Sequence, residues 1–288
     1  MLPHLTAFQQ PEHQPFLWNG GATAVLLIHG FPGSPAELRP LARKLHEAGF
    51  TTQGLLLPGF GPQVETLPQM RVADWLAAVL AAFDALRADY EQVWLLGHSM
   101  GGALALQAAA RRQPDGLILL APFWQIGRWY HQLIWRLLRP FLGHLRPFKL
   151  FKPDYSDPNM RAGMRNWLPE ADLDDPAVQA AIRELAVPTA VFEQLRQAGR
   201  GGYRAAPQVA CPTFVLQGTA DSLIKPDYSR RLVQRLAGPL RYQELAADHD
   251  LLDPRKPGFP AVTAAVLQFL AADRQRPAVA GRPSEVIG

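Results

Sequence analysis

One cysteine, Cys211, stands in a chain of 288 residues, so no disulfide can form within it and no metal can be held by paired thiolates. Long apolar runs are missing as well. No stretch reaches the roughly 18 apolar residues that a membrane-spanning helix needs. The opening "MLPHLTAFQQPEHQPF" lacks a basic start followed by an apolar core, so no secretory leader is expected and the expected location is the cytoplasm. Charge of one sign is scarce too. Lys and Arg number 29 against 25 Asp and Glu, a net charge of +4, which gives no dense basic stripe and excludes nucleic acid as a partner. The glycine-rich stretch GHSMGG does not have the G-x-G-x-x-G spacing of a dinucleotide site, and no cofactor or metal is expected.

Apolar residues are plentiful, at 48% of the chain, enough for a sizeable core. They come in short runs bounded by Gly and Pro: AVLLIHG at 24–30, GLLLPG at 54–59, VWLLGH at 93–98, LILLAP at 117–122 and TFVLQG at 213–218. Continuous apolarity over so few residues predicts strands buried on both faces of a parallel sheet. Helix-like stretches at 35–48, 72–90 and 100–112 alternate with them, which predicts an open α/β sheet with helices on both sides. From 123 to 207 the rhythm breaks into amphipathic segments separated by Pro and Gly. That length is too great for a plain loop and predicts a helical insertion. The strand-helix pattern then resumes with a helix at 227–236, a strand around LRYQELA and a helix at 259–272. The expected division is a core of 1–122 and 208–273, a cap of 123–207 and a flexible tail of 274–288.

The chemistry concentrates at Gly97-His98-Ser99-Met100-Gly101, a G-x-S-x-G pattern with a predicted strand before it and a predicted helix after it. A nucleophile on so tight a corner needs neighbours without side chains two positions away, and Gly97 and Gly101 supply them. The Met100 N–H then falls at a helix N-terminus, where unpaired donors and the dipole favour a developing oxyanion. A serine hydroxyl also needs a base oriented by a carboxylate, and for this elbow the chain order is Ser, acid, His. Of the histidines after Ser99, His131 and His144 lie in the insertion. His249, in LAADHDLLDP between the last predicted strand and helix, is placed to act as the base. Asp221, just past the strand ending near Gly218, is the candidate acid. Asp248 and Asp250 are its rivals, but adjacent side chains in an extended loop point apart. The loop LLIHGFPGSP at 26–35 offers a second oxyanion donor, the Phe31 N–H, with His29 and His98 read as bracing residues rather than bases.

Taken together, HGFPGSP at 29–35, LPGFG at 57–61, GHSMGG at 97–102, GTADSLIKP at 218–226 and DHDLLD at 248–253 resemble the α/β-hydrolase fold, serine hydrolase branch. They are most similar to bacterial carboxylesterases and monoacylglycerol lipases. The resemblance implies a mostly parallel sheet flanked by helices with a helical cap, and carboxylic ester hydrolysis through an acyl-enzyme. In it Ser99 is nucleophile, Asp221 acid and His249 base, and Phe31 and Met100 form the oxyanion hole. The sequence departs from many relatives in placing carboxylates on both sides of His249.

The start of the insertion, 123–152, is rich in aromatics, leucines and basic residues and has no acidic residue. A lid over an acyl or aryl pocket would need such an apolar face, and Phe123, Trp124 and Trp129 are its candidate substrate contacts. Transient contact with an anionic lipid interface is the secondary reading of the same segment. An amidase or proline iminopeptidase would need carboxylates to grip a substrate amine, and the insertion holds Glu170, Asp172, Asp174, Asp175, Glu184 and Glu193. Thioester cleavage is not separable from ester cleavage by sequence, and a ligand-binding protein on the same fold is the non-enzymatic alternative.

Overall fold

The computed structural model describes residues 8–125, 144–145, 153–157, 160–161, 164, 172–183 and 187–274. Seven strands form the central sheet: β1 (Phe16–Trp18), β2 (Thr23–Ile28), β3 (Thr51–Leu55), β4 (Gln92–His98), β5 (Gly116–Leu120), β8 (Thr213–Gly218) and β9 (Leu240–Leu245). Their order is β1-β3-β2-β4-β5-β8-β9, parallel throughout except for β1, which runs antiparallel at the edge. Every residue of β2, β5 and β8 is buried, in keeping with their continuous apolarity.

Alternate residues of each strand serve opposite faces. Leu26, Ile28 and Leu95 pack beneath α2 (Val72–Asp89), α3 (Met100–Arg112) and α5 (Thr189–Ala205), through Trp75, Phe83, Leu104 and Leu195. Val25, Leu27 and Leu96 pack against α1 (Pro35–Glu47) and α6 (Phe259–Arg274), through Leu41, Leu45, Val262 and Leu270. The sheet is thus covered on both sides, as an α/β-hydrolase fold requires.

Two local departures from the sequence expectation have physical causes. The apolar run at 54–59 leaves the sheet at Leu55 because the Leu57 N–H donates to His29 Nε2 (3.2 Å), Pro58 has no N–H, and Gly59 turns with φ +79°. The strand β1 was not expected, since three residues show no usable alternation. It pairs Phe16 with Gly54, where a Cβ would lie 2.1 Å from the Phe16 ring.

Within the stretch expected as an insertion, α5 lies along α3. A Cβ on Gly202 would stand 2.8 Å from the Ala103 carbonyl oxygen, so glycine there permits the close approach, and Gln107 Nε2 donates to the Ala198 carbonyl (3.1 Å). Tyr155, Met164, Leu173 and Ile182 form a separate small apolar cluster, the last of them on α4 (Pro176–Arg183). A two-residue antiparallel bridge joins β6 (His144–Leu145) to β7 (Val187–Pro188). Trp129, His131, Glu170, Glu184 and the tail from 275 lie outside the described residues. Among the described residues no helix is long and apolar enough to cross a membrane.

Candidate functional site

Parallel strands deliver their carboxyl ends to one edge of the sheet, and in this chain β2, β4, β8 and β9 each end just before a residue singled out above. β4 ends at His98, and Ser99 turns the chain into α3 with φ 50° and ψ −115°, a left-handed conformation rare for a residue with a Cβ. The flanking glycines make the turn possible. A Cβ on Gly97 would lie 2.4 Å from the Gly101 oxygen, and one on Gly101 would lie 2.1 Å from the Ile28 oxygen. The corner is tied down by its own backbone: Ser99 N–H donates to Leu120 (2.9 Å), and the Ser99 carbonyl accepts from Gly102 and Phe123 (both 3.0 Å).

β8 ends at Gly218 and β9 at Leu245, and the loops after them carry Asp221 and His249 back toward Ser99. His249 Nε2 lies 3.1 Å from Ser99 Oγ, and His249 Nδ1 lies 2.7 Å from Asp221 Oδ2. A carboxylate accepts only, so Nδ1 carries the proton and Nε2 presents its lone pair to the hydroxyl. The Asp221 side chain is fully buried. Burial pushes its carboxyl upward, yet the hydrogen bond and charge of His249, with donors from Ile224 N–H (2.8 Å) and Gln217 Nε2 (3.1 Å), hold it below the ordinary aspartate range. Leu223 N–H adds a further donor at 2.9 Å. Gln217 was not anticipated. It is a wholly buried amide on β8 whose Oε1 accepts from Ser229 (2.6 Å), which leaves its NH₂ facing the carboxylate. Asp248 and Asp250, the rival acids, face Lys256 at 2.5 and 3.8 Å.

After β2 the chain passes close over the nucleophile: a Cβ on Gly30 would lie 3.2 Å from Ser99 Cβ. His29 is fully buried, donates Nδ1–H to the Gly30 carbonyl (2.8 Å) and accepts the Leu57 N–H at Nε2. Burial lowers its pKa, and the pattern is that of a neutral ring bracing the loop. Gly30 N–H donates to Glu37 Oε1 (2.7 Å), a second unanticipated residue, in the first turn of α1. The Phe31 ring meets Phe60 at 6.1 Å and, from α5, Phe192 at 6.3 Å between centroids. Met100 is the first residue of α3 and is fully buried.

Phe123 is 4% exposed and belongs to the apolar cluster beneath α3 and α5. Trp124 stacks on Tyr203 (4.1 Å, 18°) and donates Nε1–H to the Tyr228 carbonyl (2.8 Å). The described carboxylates of the insertion have protein partners. Asp174 takes Arg161 in a two-pronged pair (2.7 and 2.6 Å), Glu193 pairs with Arg196 and Gln197, and Asp172 and Asp175 accept backbone N–H groups. No group of His, Cys, Asp or Glu suited to a metal ion occurs among the described residues.

Comparison with known proteins places these features in a family. Residues 22–248 match the family described as serine aminopeptidase, S33. Over 102 residues the chain is 36% identical to a thermostable monoacylglycerol lipase of Bacillus sp. (strain H-257), a span covering 35% of this chain and 40% of that protein. Over 95 residues it is 37% identical to a carboxylesterase of Bacillus subtilis (strain 168), covering 33% and 39%. These alignments therefore span about two fifths of the curated relatives. Among solved structures, a chain reported with the metagenome-derived lipolytic enzymes LipS and LipT superposes with TM-score 0.71 at 21% identity, covering 91% of this chain and 98% of that one. The monoacylglycerol lipase of Paleococcus ferrophilus superposes with TM-score 0.64 at 19% identity, covering 90% and 98%.

Proposed function

This chain belongs to the serine aminopeptidase S33 family of α/β-hydrolases, and on that premise we propose that it is a serine hydrolase that cleaves carboxylic esters through an acyl-enzyme. The observation that carries the proposal is the continuous relay from Ser99 Oγ to His249 Nε2 (3.1 Å) and from His249 Nδ1 to Asp221 (2.7 Å), set on a left-handed elbow. Ser99 attacks the ester carbonyl as His249 takes its proton. Asp221 keeps the imidazole in the required tautomer and stabilises the imidazolium that forms. The N–H groups of Met100 and Phe31 receive the oxyanion. His249 then protonates the departing alcohol, and water repeats the sequence to release the acid.

Esters are favoured over amides for two reasons. Two of the curated relatives, at 36% and 37% identity over about a third of this chain, are a monoacylglycerol lipase and a carboxylesterase. In addition, two of the described carboxylates of the insertion, Asp174 and Glu193, are already neutralised by Arg161 and Arg196, which weakens the anionic grip that an α-ammonium substrate needs. Phe31, the residue after Gly30, pairs its ring with Phe192, and an aromatic pair next to the loop that passes over Ser99 suits an acyl or aryl group. Tyr155, Met164, Leu173 and Ile182, with a small core of their own, are read as part of the helical lid, and Trp124 as a packing residue more than a substrate contact. The single buried thiol, Cys211, accords with a reducing, cytoplasmic setting.

The test is hydrolysis of p-nitrophenyl esters from acetate to palmitate, with Ser99→Ala alongside. Ser99-dependent turnover with a chain-length optimum is expected. Turnover that survives Ser99→Ala overturns the assignment, and silence on esters with Ser99-dependent release from aminoacyl amides transfers it to the aminopeptidase reading.

A further inference from the structure

The relay leaves out a second histidine at the elbow. His98 lies with its ring centroid 5.2 Å from that of His249, inclined at 38°, and its side chain is 9% exposed. Its Nδ1 is 3.0 Å from Glu37 Oε1, and its Nε2 is 3.2 Å from the backbone carbonyl oxygen of His249. The same Glu37 oxygen accepts the Gly30 N–H at 2.7 Å. Three separate pieces of chain meet in this way: the loop after β2, the elbow after β4 and the loop carrying the base.

Counting donors fixes the charge. A carbonyl oxygen only accepts, so His98 Nε2 must carry a hydrogen. An ionised Glu37, whose Oε1 already receives the Gly30 N–H, can only accept from His98, so with Glu37 ionised Nδ1 carries one too. A ring with both nitrogens donating is an imidazolium.

We propose that Glu37 and His98 are positioning residues, a carboxylate-imidazolium pair that holds the oxyanion loop and the His249 loop in register with Ser99 and releases them when His98 loses its proton. The proposal rests on the serine hydrolase reading and adds a pH-sensitive brace to it. In neutral His98 one nitrogen becomes a lone pair facing an oxygen, and either Glu37 or the His249 carbonyl loses its donor. The second case would let the base drift from its 3.1 Å contact with Ser99.

The surroundings support the charged form. Burial pushes His98 toward the neutral state, but the hydrogen bond and charge of Glu37, the His249 carbonyl and the charge of Asp250 outweigh it, and the net direction is upward. Glu37 moves the opposite way: burial raises it, and His98 first, with His29 and the Gly30 N–H, more than offsets that. The other groups near the pair are the neutral His29 and the base His249 itself, and Asp250 has Lys256 3.8 Å away. Since the His98 pKa is raised, the brace is intact below the ordinary histidine value and fails as pH climbs through the higher folded value.

Two measurements test this. In the first, kcat and KM for p-nitrophenyl butyrate are followed from pH 6 to 10 in the wild type and in Glu37→Gln, whose amide keeps the shape and loses the charge. The proposal expects an alkaline fall in kcat that moves at least about one pH unit lower in Glu37→Gln, with KM changed less than about twofold. A Glu37→Gln profile that superimposes on the wild type overturns it. The second needs no turnover: ¹⁵N-histidine NMR on Ser99→Ala, with His98→Gln to assign the signal. Both His98 nitrogens should be protonated at pH 7, and a singly protonated ring overturns the proposal. Ester hydrolysis that ignores Ser99 would remove the functional reading and leave the NMR result to decide the pair.

Discussion

Ser99 occupies a backbone region that costs about 1–3 kcal/mol for a residue with a Cβ, and the elbow meets that cost through glycine at 97 and 101 and the backbone bonds around it. Ser99→Ala removes only the hydroxyl and is expected to fold normally while losing about 10⁴-fold or more in kcat/KM on a p-nitrophenyl ester. His249→Ala should lose a similar amount, and the double variant little more, because the residues act as a unit. Strict additivity in that double variant would contradict the relay. Gly101→Ala has the opposite signature. Its Cβ would stand 2.1 Å from a backbone oxygen that cannot yield, so a loss of roughly 3 kcal/mol or more in urea unfolding is expected. The residues that sequence reasoning reached were those with a chemical pattern or a place at a strand end. Gln217 and Glu37 carried no such mark: one reads as an ordinary strand residue, the other as an ordinary first-turn glutamate, and each gains its partners only when distant loops return to it.

At the scale of elements, the short apolar runs were legible because a strand covered on both faces has no polar residues to show. Their ends were less so. The run at 54–59 looks like a strand throughout, and only the competition of His29 for the Leu57 N–H, a tertiary contact, takes the chain out of the sheet at Leu55. The packing of α5 along α3 was also hidden, since one small residue, Gly202, decides whether two helix backbones approach. Gly202→Leu is expected to push α5 away from α3 and lower stability by about 1–3 kcal/mol, measured by denaturant unfolding. An unchanged midpoint would mean that α5 does not depend on this contact.

For the whole molecule, the parallel sheet explains why residues as far apart as Ser99, Asp221 and His249 converge, since every contributing strand points its carboxyl end to one edge. That convergence also concentrates buried titratable groups there and sets the pH window of stability. Asp221 and Glu37 are held below their ordinary values, so their contribution is present above the unfolded carboxylate range near 4 and is lost as pH falls through the folded values. His98 is held above its ordinary value, so its contribution is full below about 6.5 and is lost as pH rises through the folded value. Neutral His29 is held below its ordinary value, so its contribution is present above about 6.5 and is lost as pH falls. Thermal midpoints are therefore expected to peak near about pH 6.5, with a flatter alkaline side in His98→Gln. Scanning fluorimetry checks this, and a midpoint still rising above pH 8 would contradict it. The central claim is that a covalent acyl group forms on Ser99, and the most direct measurement is mass spectrometry of the protein acid-quenched during turnover of p-nitrophenyl butyrate. The expected result is a butyryl adduct on the peptide containing Ser99, absent from Ser99→Ala. Sustained turnover with no adduct on that peptide, or with the acyl group on another residue, would contradict the account.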